Sequence, residues 1–243
     1  MRYRLLQARL PDDPVRSEER QAFATRLGVD IGQIVTHDLL ENVSFAQATA
    51  DVDIVLVGGS GAFGVHQDLP WMPAFRDTLG ELADRGFPTF ASCFGFQGLV
   101  EALGGSVLPD DASSEVGTYA MERLPAADDD PLFGALPDSF NAQLGHKDRA
   151  MVFPDSVPNL VRSARCPYQA LRIPGKPVYA TQFHPELSSA ENRKRFSRYY
   201  DMYKKAFGDE EAERMMREGF AESPESNDLL PRYVALLREG RLG

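Results

Sequence analysis

The chain has 243 residues, 43% of them hydrophobic and 26% charged, which is typical of one folded domain with a full core. Its 36 acidic residues outnumber 26 basic ones, so the surface is expected to repel phosphate backbones and nucleic acid is not an expected partner. The two cysteines cannot form a disulfide scaffold and lack the His/Cys spacing of a zinc module, so free thiols and no metal are expected.

The sequence carries no recognisable export or membrane segment. Residues 1–11 include three arginines and no apolar run of signal-peptide length. No later stretch approaches the roughly 18 consecutive apolar residues that a membrane span needs. We therefore expect a cytoplasmic protein with no membrane partner.

Apolar patterning in the first half predicts alternating strands and helices. In chain order these are strand 3–8, helix 15–27, strand 32–35, helix 41–50, strand 53–57, helix 70–85, strand 88–92 and helix 94–103. The strand at 53–57 is apolar throughout after Asp53, as in strands that are buried on both faces of a parallel sheet. The pattern indicates an α/β fold with a doubly wound, mostly parallel sheet.

The second half departs from this alternation. Between residues 116 and 164, short apolar stretches are separated by Pro, Asp and Gly, which predicts a small antiparallel excursion or a set of loops. Strand character returns at 178–183 and helical structure is predicted at 188–207. An amphipathic tail follows, broken at Pro224, and its apolar residues suit either a covering helix pair or an interface. We expect a catalytic domain over 1–207 and a C-terminal helical extension over 208–243.

Cys93 is the first candidate catalytic residue. It lies between a buried strand and a predicted helix, at the carboxyl edge of the sheet where ligands bind in such folds. The partial positive charge of the helix N-terminus favours a thiolate there. The arrangement is similar to the strand-turn-helix elbow that exposes a nucleophile, with the Phe94 N–H available to an oxyanion. Gln97 lies one helical turn deeper on the same face.

A second candidate group is the run Gln-Phe-His-Pro-Glu at residues 182–186. Side chains alternate along an extended segment, so His184 and Glu186 point to the same side. Pro185 cannot donate to a strand ladder, so the strand should end here, again at a carboxyl edge. A histidine oriented by a carboxylate supplies the base that a cysteine nucleophile needs.

A glycine-rich loop follows the strand at 53–57. Residues 59–64 match the dinucleotide-binding pattern G-x-G-x-x-G. A dinucleotide site is disfavoured because Pro70 and Pro73 place the next helix several residues too late. A loop that offers backbone N–H groups to an oxyanion fits better, and no cofactor is expected.

Together these three motifs resemble the signatures of class I, triad-type glutamine amidotransferases, in the same order. The resemblance covers residues 53–187 strongly and the first fifty residues through their β-α pattern. It implies a flavodoxin-like sheet and a glutamine substrate. Two departures are Ala91, where the family commonly has glycine, and Phe96, where it often has histidine.

The resemblance also implies a role for each matching residue. Cys93 would attack the glutamine side-chain amide, His184 would transfer protons, and Glu186 would orient the histidine. The N–H groups of Gly59 and Phe94 would hold the oxyanion. The residues implied to contact the bound glutamine are Gly58, Gln97, Glu115, Gly117, Gly145 and His146.

Three functions fit these features. The leading interpretation is hydrolysis of the γ-amide of glutamine through a γ-glutamyl thioester, giving glutamate and ammonia for a synthetase partner subunit or for solvent. The same three residues could instead act on a γ-glutamyl peptide or conjugate, which requires a pocket open beyond the amide nitrogen. A third interpretation, a non-catalytic glutamine-binding regulatory module, leaves the combination of nucleophile and base without a purpose.

Overall fold

The computed structural model describes residues 1–242, which fold around a nine-stranded sheet. Eleven strands are present in this range: β1 Tyr3–Gln7, β2 Ile34–Asp38, β3 Ile54–Val57, β4 Thr89–Ser92, β5 Ser106–Pro109, β6 Glu115–Arg123, β7 Ser139–His146, β8 Asp148–Val152, β9 Asn159–Ser163, β10 Ala170–Arg172 and β11 Val178–Thr181. The α-helices of the same range are α1 Val15–Leu27, α2 Phe45–Thr49, α3 Met72–Arg85, α4 Phe94–Ala102, α5 Ser189–Arg198, α6 Tyr200–Phe207, α7 Asp209–Glu218, α8 Pro224–Asn227 and α9 Leu229–Arg238.

The main sheet has the strand order β2-β1-β3-β4-β11-β10-β9-β6-β7, and β5 pairs with β8 in a separate ribbon. Neighbours from β2 to β11 are parallel, whereas those from β11 to β7 are antiparallel. This confirms the predicted fold class, a doubly wound α/β fold with an antiparallel excursion and C-terminal helices.

The register of the central strands sets the position of the candidate site. Val57 lies opposite Ala91, and Ser92 lies opposite Thr181. The segments that follow β3, β4 and β11 therefore emerge side by side at one carboxyl edge of the sheet. These segments carry the glycine loop, Cys93 and the His-Pro-Glu run.

Two apolar clusters cover the opposite faces of the sheet. Leu5 packs in one cluster and the adjacent Leu6 in the other, as the alternation of side chains along a strand requires. All four residues of β3 are buried, which explains why its sequence is apolar throughout. The first cluster includes residues of α1 and α9, and the second includes residues of α3 and α4.

Several predicted elements have different bounds in the structure, and local capping explains two of these differences. The strand predicted at 32–35 begins at Ile34, because Asp30 caps a short 3-10 turn and accepts a hydrogen bond from the Gly32 N–H at 2.7 Å. The helix predicted at 41–50 begins only at Phe45, because Ser44 forms a capping box with Gln47. Both differences are local capping effects.

The C-terminal helices pack onto the rest of the protein. Met215 of α7 and Phe220 form a third apolar cluster with Val116, Phe196 and Tyr203. In α9, the Tyr233 hydroxyl donates to the Pro177 carbonyl at 2.8 Å. The proposed boundary between residues 207 and 208 stays a prediction. Within residues 1–242, no helix combines the length and apolar character that a membrane crossing requires.

Candidate active site

Cys93 occupies a strained turn between β4 and α4. Its backbone adopts φ 52° and ψ −101°, a conformation that residues other than glycine rarely take. The turn is held from both sides, since the Cys93 N–H donates to the Thr181 carbonyl at 2.8 Å and the Cys93 carbonyl accepts from the Gln97 N–H at 3.0 Å. The strain places the thiol in the wall of a cavity, with 5% of the residue exposed.

Small residues allow this turn to form. A Cβ at Gly95 would lie 2.8 Å from Val57 and 3.0 Å from the Cβ of Ala91. Helix α4 therefore approaches β3 and β4 more closely than any larger residue at position 95 permits. Ala91 is accommodated in this packing, whereas Phe96 is fully buried in the apolar cluster on that face.

His184 and Glu186 form a buried pair after β11. The His184 Nδ1 lies 2.6 Å from the Glu186 Oε1, and the two residues are 3% and 0% exposed. The His184 backbone is fixed by its N–H, which donates to the Gln143 carbonyl at 2.8 Å. His184 lines the same cavity as Cys93, while Glu186 lies behind the imidazole.

The charge on this pair favours an imidazolium. Burial alone would lower the pKa of His184, but the charges of Glu186 and Cys93 and their hydrogen bonds outweigh burial and raise it to about 9. The second Glu186 oxygen, Oε2, is buried without a hydrogen-bond partner among residues 1–242. The carboxylate is therefore compensated mainly by the histidine, and the arrangement suits proton transfer between His184 and a group bound at Cys93.

The two predicted oxyanion donors differ in their hydrogen bonding. The Phe94 N–H has no acceptor within residues 1–242, as expected at the first position of a helix. The Gly59 N–H instead donates to Oε1 of Glu19 at 3.0 Å. Glu19 is fully buried and is held by Gln7 and by two bonds from Arg9, at 3.1 and 2.8 Å.

Gly58 lies against the carboxylate of Glu19, and Gly59 lies against the imidazole of His184. A Cβ at Gly58 would lie 2.6 Å from the carboxylate of Glu19. A Cβ at Gly59 would lie 2.8 Å from Cε1 of His184. Only glycine fits both positions without displacing a charged neighbour.

A cavity of about 230 Å³ brings many of the predicted residues together. Those in its wall are Gly59, Cys93, Phe94, Gln97, Gly145, His146 and His184. Glu115 and Gly117 lie outside the wall: Glu115 contacts the far side of His146, and Gly117 packs against the Gly219 carbonyl. Gly58 likewise lies behind the wall, against Glu19.

The predicted glutamine contacts belong to a buried polar network. The Gln97 side-chain amide donates to the Asp148 backbone carbonyl at 2.9 Å and to Gln182 Oε1 at 3.1 Å. The His146 Nε2 lies 3.0 Å from Glu115 Oε2. Potential metal-ligand atoms of Glu115, His146 and Cys166 lie within 4.8 Å of one another. The Cys166 thiol donates to the Ser113 carbonyl at 3.3 Å and the Gln169 amide donates to Glu115 Oε2 at 2.6 Å, so these atoms already have hydrogen-bond partners.

Helix α5 covers one side of the cavity, and sequence reasoning assigned it no function. The Asn192 side chain fixes it over the antiparallel strands by donating to Gln143 Oε1 at 3.1 Å and to the Leu144 carbonyl at 3.2 Å. Arg195 and Tyr199 of this helix region line the cavity. No local motif marks these residues, because their role depends on where the helix docks.

Comparison with known proteins shows which family the chain belongs to. The family model for class-I glutamine amidotransferases matches residues 21–199, and the chain belongs to this family. The GMP synthase (glutamine-hydrolyzing) of Streptococcus pneumoniae is 33% identical over 138 residues. That alignment covers 56% of this chain but only 24% of the relative, so the chain spans about a quarter of the curated relative that it matches.

Solved structures of similar proteins have the same fold. A glutamine amidotransferase from Thermotoga maritima superposes with a TM-score of 0.72 at 19% identity, covering 98% of each chain. Another from Methylobacillus flagellatus gives a TM-score of 0.67 at 19% identity, covering 99% of this chain and 91% of that one. The architecture therefore extends over nearly the whole chain.

Proposed function

We propose that the chain hydrolyses the γ-amide of glutamine, with Cys93 as nucleophile, His184 as acid and base, and Glu186 as the residue that orients the histidine. The observation that carries this proposal is the 2.6 Å His184–Glu186 contact in the same cavity as a cysteine on a strained elbow. A structural role alone gives no reason to hold a buried imidazolium beside a strained thiol.

The chemistry requires two steps. The Cys93 thiolate attacks the γ-carbonyl carbon, the C–N bond breaks, and His184 gives its proton to the departing nitrogen, which leaves as ammonia. The neutral His184 then takes a proton from water, whose oxygen attacks the γ-glutamyl thioester. Glutamate is released and the thiolate–imidazolium pair is restored.

The oxyanion formed in each step needs backbone donors. The Phe94 N–H is free to serve, supported by the N-terminus of α4. The Gly59 N–H can serve only by exchanging its bond to Glu19. We therefore expect slow turnover by the isolated chain.

The ammonia acceptor is a separate question. The name of the Streptococcus pneumoniae relative combines glutamine hydrolysis with a synthase activity. By analogy, we propose that ammonia passes to a synthetase partner, with water as the alternative destination.

The test is a coupled assay of ammonia and glutamate from glutamine. Wild-type protein should release the two products in equal amounts, and Cys93→Ser should reduce release to the background level. Thioester formation can be checked by acid quenching and mass spectrometry of the Cys93 peptide. Glutamine binding without turnover would instead support the regulatory-module interpretation, and turnover that survives Cys93→Ser would overturn the proposal.

A further inference from the structure

Two cations in the cavity wall have side chains without a partner in the part of the chain that the structure describes. Lys147 and Arg195 are half-buried in the cavity wall, yet neither side chain forms a hydrogen bond or ion pair with any of residues 1–242. Arg9 lines the same cavity but is neutralised by Glu19 at 2.8 Å and Asp13 at 3.3 Å. The cavity thus presents to its ligand two positive charges that have no hydrogen-bonded or ion-paired partner among residues 1–242.

Arg195 lines the cavity near the glycine loop. One turn further along the chain, the Tyr199 hydroxyl lies 2.7 Å from the position of a Cβ at Gly61. This loop reaches His184 through Gly59, whose Cβ position is 2.8 Å from Cε1 of the imidazole. Burial raises the pKa of Glu19, but Arg9 and then Arg195 lower it overall, so the Arg195 charge acts on the carboxylate bonded to Gly59.

Lys147 belongs to a different part of the wall. It immediately precedes Asp148, whose backbone carbonyl accepts from Gln97. Gln97 lies one turn into the helix that begins after Cys93. The two cations therefore approach the site from different elements: Lys147 immediately precedes the residue that Gln97 contacts, and Arg195 lies near the glycine loop.

We propose that Arg195 binds a carboxylate on the leaving group, so that γ-glutamyl amino acids are substrates of this site. The inference rests on the proposed function, since it uses the same attack by Cys93. Because His184 protonates the departing nitrogen, the leaving group must lie on the His184 side. There a guanidinium can form a charge-assisted, two-pronged hydrogen bond with a carboxylate.

The α-carboxylate of the glutamyl part is common to glutamine and to γ-glutamyl amino acids, so the two kinds of substrate differ only at the leaving group. Ammonia as the leaving group gives a guanidinium no partner there. It has no negative charge to pair with, and after protonation it would be repelled by Arg195. With a γ-glutamyl amino acid, the γ-carbonyl C–N bond breaks, the nitrogen takes the His184 proton, and a free amino acid departs. Water then releases glutamate from the thioester, so the remaining chemistry is unchanged.

The test compares γ-glutamylglycine with γ-glutamylethylamide, which has the same scissile bond and a similar size but no leaving-group carboxylate. Wild-type kcat/KM should favour γ-glutamylglycine by roughly tenfold or more, the scale of a charge-assisted hydrogen bond. Arg195→Gln should bring this ratio close to one, and Arg195→Lys should retain part of it. Glutamine is measured alongside as a test of the proposed function.

Two variants serve as controls for charge and position. Arg198→Ala removes a cation from the same helix, but Arg198 pairs with Glu18 away from the cavity, so the ratio should persist. Lys147→Ala removes the other unpaired cation and should affect both γ-glutamyl substrates alike. A wild-type ratio near one, a ratio that survives Arg195→Gln, or one lost only in Lys147→Ala would overturn the Arg195 assignment while leaving the proposed function standing. Absence of turnover with all three substrates would overturn both.

Discussion

The Gly59 N–H donates to Glu19 Oε1 at 3.0 Å, so a donor expected for the oxyanion is already bonded to a buried carboxylate. The same carboxylate packs against the Cα of Gly58, and the imidazole of His184 packs against Gly59. The two glycines thus connect a stabilising ion pair in the core with the candidate base. Substituting alanine at each position in turn should separate the effect of this region on stability from its effect on catalysis.

Gly59→Ala is expected to impair catalysis more than stability. Its Cβ would lie 2.8 Å from Cε1 of His184, and a displacement of about 1 Å at a reacting group costs roughly a hundredfold in rate. Gly58→Ala should instead displace Glu19 and reduce the free energy of unfolding by about 1–3 kcal/mol. Measuring kcat and urea unfolding for both variants checks the pair. The proposed division, with Gly59 affecting catalysis and Gly58 affecting stability, is wrong if Gly58→Ala lowers kcat more than Gly59→Ala does.

Glu19→Gln is expected to destabilise the fold by roughly 3–5 kcal/mol, because it leaves the buried Arg9 guanidinium without its closest counter-charge. Burial raises the pKa of Glu19, but the opposing effect of Arg9 is larger. The pKa of Glu19 in the folded state therefore lies below the ordinary value. The stabilisation is therefore fully present above the unfolded pKa of about 4.3 and is lost as the pH falls through the folded pKa.

Urea unfolding at pH 7, 5 and 3.5 tests this prediction for Glu19. The difference in unfolding free energy between wild type and Glu19→Gln should be the same at pH 7 and pH 5 and smaller at pH 3.5. Asp13→Asn is the matched control, because it removes the longer Arg9 contact, at 3.3 Å, without touching Gly59. Equal destabilisation by both variants would contradict a central role for Glu19.

His184→Ala is expected to reduce glutamine turnover by about 10²–10⁴-fold, since it removes both the base and the acid for the leaving nitrogen. Glu186→Gln should cost less, because the imidazole remains and only its orientation and charge are weakened. Arg162→Lys, a change in an exposed ion pair with Glu122, is the control and should leave kcat unchanged. The catalytic role assigned to His184 would be wrong if His184→Ala lowered kcat no more than Arg162→Lys does.

The buried histidine pair also predicts a pH dependence of stability. Burial lowers the pKa of His184, but Glu186 and Cys93 raise it to about 9 overall, above the unfolded value of about 6.5. The resulting stabilisation is complete below pH 6.5 and is lost as the pH rises through 9. In Glu186→Gln, which removes the leading cause of the rise, this loss should occur at lower pH. Urea titrations from pH 6 to 9.5 distinguish the two profiles.

The elbow and the His-Pro-Glu run could be predicted because they are local patterns at strand ends. The hydrogen bond from the Gly59 N–H to Glu19 could not be predicted from the sequence, because it depends on how α1 packs against the glycine loop. A signal was nonetheless present: Glu19 shares the buried face of α1 with Val15, Ala22 and Phe23, at positions i, i+4, i+7 and i+8. An acid on an apolar helix face requires a buried partner.

The sequence contains no comparable signal that would place Arg195 in the cavity wall. The region after Ser188 was predicted to be helical, but an amphipathic helix can cover any face of the protein. Its place over the cavity follows from the Asn192 bonds to strand β7, which join residues about fifty positions apart. Only the tertiary structure reveals which side of the helix faces the substrate.

The two thiols are expected to differ in reactivity. Cys93 lines the cavity beside His184, whereas Cys166 is 1% exposed and has no place in the cavity wall. Burial, followed by the charge of Glu115, raises the pKa of Cys166 to about 12, so it stays protonated near neutral pH. A diazo-ketone analogue of glutamine should therefore alkylate Cys93 first, and free glutamine should slow the reaction.

Mass spectrometry of the alkylated peptides measures this selectivity. Cys166→Ser should leave the labelling rate of the other thiol unchanged, because the two cysteines contact different networks. Preferential modification of Cys166 would show that the elbow thiol is not the activated one. Labelling of Cys93 that glutamine fails to slow would separate thiol reactivity from glutamine recognition, and would favour a γ-glutamyl conjugate as the ligand that the cavity selects.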